Sequence, residues 1–325
     1  MPALVALAHA PRGPTNGKLV GAVSLWIRTC DYFKHGLCRI GTWRRALPLT
    51  KTQLAHYLDE GYVAVEQLIP THAFTALIAE IEANIDAKAR ALAAEGKLDD
   101  LCEGLPFEKR LTRLCAAATD EQSRAELWHV GHGKHHRTAG MFAVWTEPAV
   151  VAVAEQVLGL EVLAHPQYNL RAKLPDQPET VVPWHQDLGY LERDADETFM
   201  LNFWIPLVDA PMATGALQVI PGSHRWPVLP HEKIDGYDGV SEENLPAHEV
   251  VDCPLPLGGA LLIQSRTMHR SVHNTSDVTR WSLDLRYCDS RKPTGRANVP
   301  GFVVRSEEQP NNVMRDWRDW AALFM

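Results

Sequence analysis

A mainly β fold with flanking helices, an antiparallel barrel or jelly roll, is what this 325-residue sequence predicts, and a contrast between its two halves carries the prediction. Up to about residue 160 the apolar residues recur at helical spacing. Beyond it they fall into short segments rich in branched and aromatic residues, parted by Pro, Gly and Asp turns. Strands do not alternate with helices there as a parallel α/β sheet requires, which leaves an antiparallel closed or sandwiched sheet.

Regular structure is expected to begin at Thr50. Thr50 followed by Gln53 is a capping-box pattern; Leu54, Tyr57 and Leu58 hold helical spacing, and Gly61 ends the segment. A second helix opens at Thr71 after Pro70 and keeps Phe74, Leu77, Ile78, Ile81 and Ile85 on one inward face. Residues 121–130 and 147–159 read as two more helices, the latter capped by Thr146 and stopped by Gly159. The strand segments follow as EVLAHPQYNLRAKLP, TFMLNFWIPLVDA, GALQVIPGSH, HEVVDCPLPLGGALLIQSRTMH and RWSLDLRYC, with Gly258 and Gly259 expected in a hairpin turn.

The chain holds 32 Lys+Arg against 40 Asp+Glu, a net charge of -8 that argues against nucleic acid or an anionic membrane as partner. The charge is unevenly spread. Residues 1–46 carry seven basic residues and one acid, Asp31, while everything acidic in balance lies beyond them. Residues 1–46 are therefore expected to be an irregular basic extension, and 47–325 one domain: a helical part at about 50–160, a jelly-roll core at about 160–292 and a tail at 293–325. No apolar run approaches the roughly 18 residues that cross a bilayer. Six scattered cysteines with no CxxC pair read as reduced thiols in a cytoplasmic protein.

The chemistry points to VVPWHQDLGY (181–190), where His185 and Asp187 stand two apart. On a strand, residues i and i+2 share a face, so an imidazole and a carboxylate reach one metal together. By itself such a pair is more often a satisfied core pair. Downstream, His269 is followed eleven residues later by Arg280, expected on the next strand of a hairpin. Two histidines and a carboxylate make the facial triad of a non-haem Fe(II) centre, and arginine is the cationic fork suited to a carboxylate. The GHGKHHR segment (131–137) and His224 suit a substrate-side loop and a structural or rim position better than a second metal site. No GxSxG, GxGxxG or Walker pattern is present.

These motifs, in this order, resemble the phytanoyl-CoA dioxygenase family of Fe(II)/2-oxoglutarate oxygenases: WHQD (184–187), NFWIPL (202–207), GALQVIPGSHR (215–225), GGALLI (258–263), then His269, Ser271, Asn274 and Arg280. The resemblance spans roughly residues 50–292 and implies a double-stranded β-helix, cupin-like core. It implies Fe(II) on His185, Asp187 and His269, with 2-oxoglutarate held by Arg280 and lined by Ser271 and Trp204; Asn169 and Lys173 are weaker polar candidates there. Ser282, two after Arg280, faces the same side. The implied reaction consumes O2 and 2-oxoglutarate, hydroxylates a C–H bond of a small-molecule metabolite and releases succinate and CO2. Asp187 disfavours halogenation; desaturation, ring closure and epimerisation use the same ligands. Tyr190, Trp204, Arg266, His273 and the 131–137 loop are candidate pocket residues. Two rivals stand beside this reading: a cupin-type metal enzyme that uses no 2-oxoglutarate, for which Arg280 is unnecessary, and a non-catalytic barrel that binds a small ligand.

Overall fold

The computed structural model describes residues 48–325 and, within the expected extension 1–46, two short strands; the rest of residues 1–47 lies outside the described residues. The two early strands, β1 (Cys38–Ile40) and β2 (Trp43–Arg45), pair only with each other. Helix α1 (Lys51–Glu60) starts as the sequence predicts: the Thr50 hydroxyl accepts from the Gln53 amide at 3.2 Å while the Gln53 side chain accepts from the Thr50 amide at 2.9 Å. It stops at Gly61, whose φ of 81° is left-handed and whose missing Cβ would meet the His224 ring and the Thr267 hydroxyl. Strand β3 (Tyr62–Val65) follows directly.

Residues 71–74 form a 3₁₀ turn, so the long helix α2 begins later than expected, at Thr75–Ala94, although Leu77, Ile81 and Ile85 are buried on one face as predicted. Helices α3 (Phe107–Ala117), α4 (Glu121–Val130), α5 (Ala139–Trp145) and α6 (Pro148–Leu158) complete the helical layer. Thr146 does not cap α6. Its hydroxyl donates to the Phe142 carbonyl at 2.8 Å and closes α5, and Pro148, which has no N–H to satisfy, opens α6.

The core strands are β4 (Val162–Ala164), β5 (Asn169–Lys173), β6 (Met200–Pro206), β7 (Leu217–Val219), β8 (Glu232–Ile234), β9 (Tyr237–Gly239), β10 (Val251–Cys253), β11 (Ala260–Gln264), β12 (His269–Ser271), β13 (Arg280–Asp289) and β14 (Phe302–Arg305), and helix α7 (Trp317–Ala322) ends the fold. A seven-stranded antiparallel sheet runs β14-β4-β13-β6-β11-β3, with β5 also on β13; a three-stranded sheet, β10-β7-β12, faces it, which is the predicted jelly roll. Both edges of the large sheet come from outside residues 160–292: β3 from the helical half and β14 from the tail.

Strand β13 shows why the layers stack as they do. Trp281, Leu283, Leu285 and Tyr287 are fully buried and join the cluster that holds Leu77 and Ile81 of α2 and Val153 of α6. Each such side chain contributes about 1.5–3 kcal/mol by leaving water. The alternate residues Arg280, Ser282, Asp284 and Arg286 point the other way, into the barrel, where each lines the cavity or touches a residue that does.

Two expected hairpins are absent. Strands β12 and β13 belong to different sheets, so the segment between His269 and Arg280 crosses the barrel instead of turning back; Asn274 braces it by donating to the Lys173 and Val278 carbonyls at 2.9 Å. Gly258, at φ 89°, makes a turn, but one that passes from β10 in the small sheet to β11 in the large one. Among the described residues no single helix is long and apolar enough to cross a membrane.

Candidate active site

His185 and His269 are brought together by backbone. Each donates its amide to the other's carbonyl, at 3.0 and 3.1 Å, in an isolated antiparallel bridge that sets the ring centroids 4.1 Å apart. The Nδ1 of His185 lies 2.9 Å from the Pro183 carbonyl, and that of His269 lies 2.9 Å from the Thr267 carbonyl. A carbonyl only accepts, so Nδ1 carries the proton in both rings and Nε2 keeps its lone pair for a metal. Asp187 does not continue a strand; it opens a 3₁₀ turn (Asp187–Tyr190), which places its carboxylate 3.7 Å from His185 Nε2 and 4.0 Å from His269 Nε2. One donor atom from each residue lies within 4.8 Å of the others, and the donor set, two imidazoles and a carboxylate, fits Fe(II). Burial, then the neighbouring His269, holds His185 well below its usual pKa, which keeps it a neutral ligand.

Arg286 was not anticipated from the sequence. Its Nη2 donates to Asp187 Oδ1 at 2.6 Å and its Nε to Oδ2 at 3.2 Å, while Nη1 donates to the Gln167 carbonyl at 3.0 Å; Asn202 adds a third donor to Asp187 Oδ2 at 2.6 Å. Burial works against the Asp187 charge, but Arg286 and the two histidines outweigh it and hold the carboxyl well below the ordinary range. The signal was present in the two-residue alternation of β13, which carries the inward face from Arg280 through Ser282 and Asp284 to Arg286. Arg286→Gln is expected to weaken Fe(II) affinity about 10–100-fold, as loss of a residue that orients a metal ligand does. Equilibrium dialysis checks this; unchanged affinity removes Arg286 from that role.

Arg280 lies behind the triad, 2 % exposed. Its Nη1 donates to the Ser282 hydroxyl at 2.5 Å, its Nε has no partner, and its Cζ sits 5.4 Å from the Trp204 ring centroid. Burial is the main force lowering its pKa, to about 10, so it is still a cation at neutral pH. The Ser271 hydroxyl accepts from Lys173 Nζ at 2.9 Å and from the Val182 amide at 3.0 Å; with both lone pairs engaged its own proton is left for a ligand. Lys173, pushed down to about 6 by burial and then by Arg280 and Arg171, is neutral at pH 7 and also donates to the Thr180 carbonyl. Trp204, Ser271, Lys173 and Arg280 line the same cavity as the triad.

Not every expected residue arrives there. Asn169 pairs opposite Asp284, at the other end of β5 from Lys173, which is the residue opposite Arg280. His273 faces outward, 3.6 Å from Asp176, and Arg266 donates to the Asp196 carbonyl, so neither lines the cavity. Tyr190 packs edge-on against the His185 ring, centroids 5.4 Å apart. In the 131–137 loop, Gly133 pairs with Leu170 of β5, and His132 stacks on Trp128 and lines the cavity; among the described residues the only cluster of metal-binding type is the triad. His224 is structural, packed beneath Gly61. The four described cysteines, Cys102, Cys115, Cys253 and Cys288, are free and buried.

A jelly roll enclosing two histidines and one aspartate, with an unpaired arginine behind them, is the architecture of a mononuclear non-haem iron oxygenase. The phytanoyl-CoA dioxygenase family model matches residues 57–282, and the chain belongs to that family. The chain is 27% identical over 158 residues to a 1-deoxypentalenic acid 11-beta-hydroxylase of Streptomyces arenae, covering 44% of this chain and 55% of that one. It is 27% identical over 291 residues to the phytanoyl-CoA dioxygenase domain-containing protein 1 of Danio rerio, covering 81% and 97%. Like the Streptomyces match, those to the mammalian proteins of the latter name span about half of each relative's length. Among solved structures, EctD from S. alaskensis with 2-oxoglutarate and 5-hydroxyectoine shares the fold, with a TM-score of 0.56 at 22% identity over 84% of this chain and 90% of that one.

Proposed function

We propose that the protein is an Fe(II)- and 2-oxoglutarate-dependent dioxygenase that hydroxylates a C–H bond of a small-molecule metabolite and releases succinate and CO2. The observation that carries this is Arg280, a buried cation whose Nε has no hydrogen-bond partner and which, among the described residues, forms no ion pair, in the cavity that the triad also lines. Burial outweighs the favourable charge of Asp284 on Arg280, so its desolvation is incompletely offset, and a bound dicarboxylate would offset it. A cupin enzyme working without 2-oxoglutarate gives Arg280 nothing to bind.

His185, Asp187 and His269 hold the metal through Nε2, a carboxylate oxygen and Nε2. Fe(II), with 2-oxoglutarate and O2, supplies the oxidising power. The chain itself does the positioning. Arg280 grips the far carboxylate of 2-oxoglutarate, the Ser271 hydroxyl donates beside it, and Trp204 covers that end of the cavity against water. Arg286 and Asn202 fix the Asp187 carboxylate in one orientation. The intact Asp187 supports hydroxylation over halogenation, and the four free buried thiols support a cytoplasmic location.

The test is an anaerobic titration of the Fe(II)-loaded protein with 2-oxoglutarate. The visible charge-transfer band of an iron-bound 2-oxo acid is expected to grow to saturation; folded, iron-loaded protein that shows no band would overturn the proposal.

A further inference from the structure

The pairing of β5 with β13 places Arg171 opposite Ser282, between the Lys173–Arg280 and Asn169–Asp284 positions. Leu170 and Ala172 are fully buried in the core, so Arg171 faces the cavity, which it lines together with Asp284 and the triad. Asp284 Oδ2 accepts from Arg171 Nε at 2.5 Å. Among the described residues nothing accepts from the two terminal amino groups of the guanidinium, so one edge of the fork is engaged and the other is open.

The charges inside the barrel do not balance. Arg171, Arg280 and Arg286 are three fixed cations, and Asp187 and Asp284 two anions. Burial, then Arg280 and Arg171, disfavours a charge on Lys173, and an iron dication cancels a 2-oxoglutarate dianion, so the fixed charges leave a positive surplus whether the site is loaded or not. Close to Arg171 and Arg286 the balance tilts further the same way: Lys134, its amine lowered to about 8 by loss of solvent and then by Arg296, Arg286 and Arg171, sits in the loop whose Gly133 is tied to β5. A surplus of one charge in a low-dielectric space favours a singly charged anion, and the planar edge of a guanidinium matches a carboxylate.

We propose that the substrate carries a carboxylate, which binds the edge of Arg171 that Asp284 leaves open. This rests on the oxygenase reading above, in which 2-oxoglutarate fills the Arg280 end of the cavity and leaves Arg171 to the substrate. Asp284 holds the fork in orientation and repels a second negative charge, which selects monoanions.

The test uses Fe(II)-loaded protein saturated with 2-oxoglutarate in the absence of O2, titrated calorimetrically with cyclohexanecarboxylate, benzoate and decanoate, each beside its primary amide. At least one carboxylate is expected to bind about 10–100-fold more tightly than its amide, the strength of hydrogen bonds to a charged group. Arg171→Gln alone strands the Asp284 charge, so the decisive variant is Arg171→Gln with Asp284→Asn, which removes both charges at nearly constant volume. There the preference is expected to fall below about twofold while the 2-oxoglutarate band persists. The proposal is overturned if no carboxylate outbinds its amide, or if the preference survives in the double variant. Should the wild-type band fail to form, the oxygenase reading falls by itself, and the same comparison run without 2-oxoglutarate still decides the role of Arg171.

Discussion

His185→Ala and His269→Ala proteins are expected to fold, to bind no stoichiometric Fe(II) and to turn over no 2-oxoglutarate above background. Each substitution removes one of three donors and strands no charge, because Arg286 still pairs Asp187, so the cost to the fold is the ordinary one of a large-to-small change, about 2–4 kcal/mol. The backbone bridge between the two residues needs neither side chain and survives. Asp187→Ala is a poorer test. It leaves Arg286 buried without its carboxylate, a change that costs about 3–5 kcal/mol, and lost activity there reports partly on the fold. Metal content after dialysis, with a thermal melt on the same samples, checks the histidine variants. Wild-type iron-dependent turnover in either one would remove it from the metal centre.

Arg280→Ala is expected to raise the 2-oxoglutarate concentration needed for half-maximal turnover by about 100-fold, the loss of a charge-assisted pair in a dry pocket, while Fe(II) affinity changes less than about twofold. The separation follows from the structure: Arg280 bonds to Ser282 and lies over Trp204, and neither touches the triad's carboxylate, which Arg286 and Asn202 hold. Arg280→Lys should recover only part of the loss, because an ammonium lacks the fork. Saturation kinetics in 2-oxoglutarate give the answer, and an unaltered requirement would turn the assignment toward an enzyme that uses no cosubstrate.

The jelly roll and the cluster of His185, Asp187 and His269 were legible in the sequence because both depend on local pattern. The capping box at Thr50, the two-residue period of β13 and the spacing of His185 from Asp187 are short-range features; the first two are found where the pattern places them, and the third brings its two side chains together through a 3₁₀ turn instead of a strand. What the pattern does not carry is which sheet a strand joins. The segment from His269 to Arg280 has the length of a hairpin and crosses the barrel, because each strand finds its partners among residues far away in the chain: β12 on β7, β13 on β5 and β6. Arg286 went unnoticed for a related reason. Its meaning comes from Asp187, 99 residues earlier, and only the fold sets the two side by side. Helix α5 was missed because seven residues are too few to establish a period.

The histidine bridge has a consequence for metal selection. Two reciprocal backbone hydrogen bonds fix the spacing of the imidazoles, and Arg286 and Asn202 fix the carboxylate, so the three donors stand ready before any ion arrives. A cage assembled by the polypeptide presents itself equally to manganese, cobalt, nickel, copper and zinc, and the later members of that series bind nitrogen and oxygen donors more tightly than Fe(II) does. The donor set by itself therefore does not exclude those ions. The choice passes to whatever ions surround the protein, and the active fraction of any preparation becomes a record of the metals it has met.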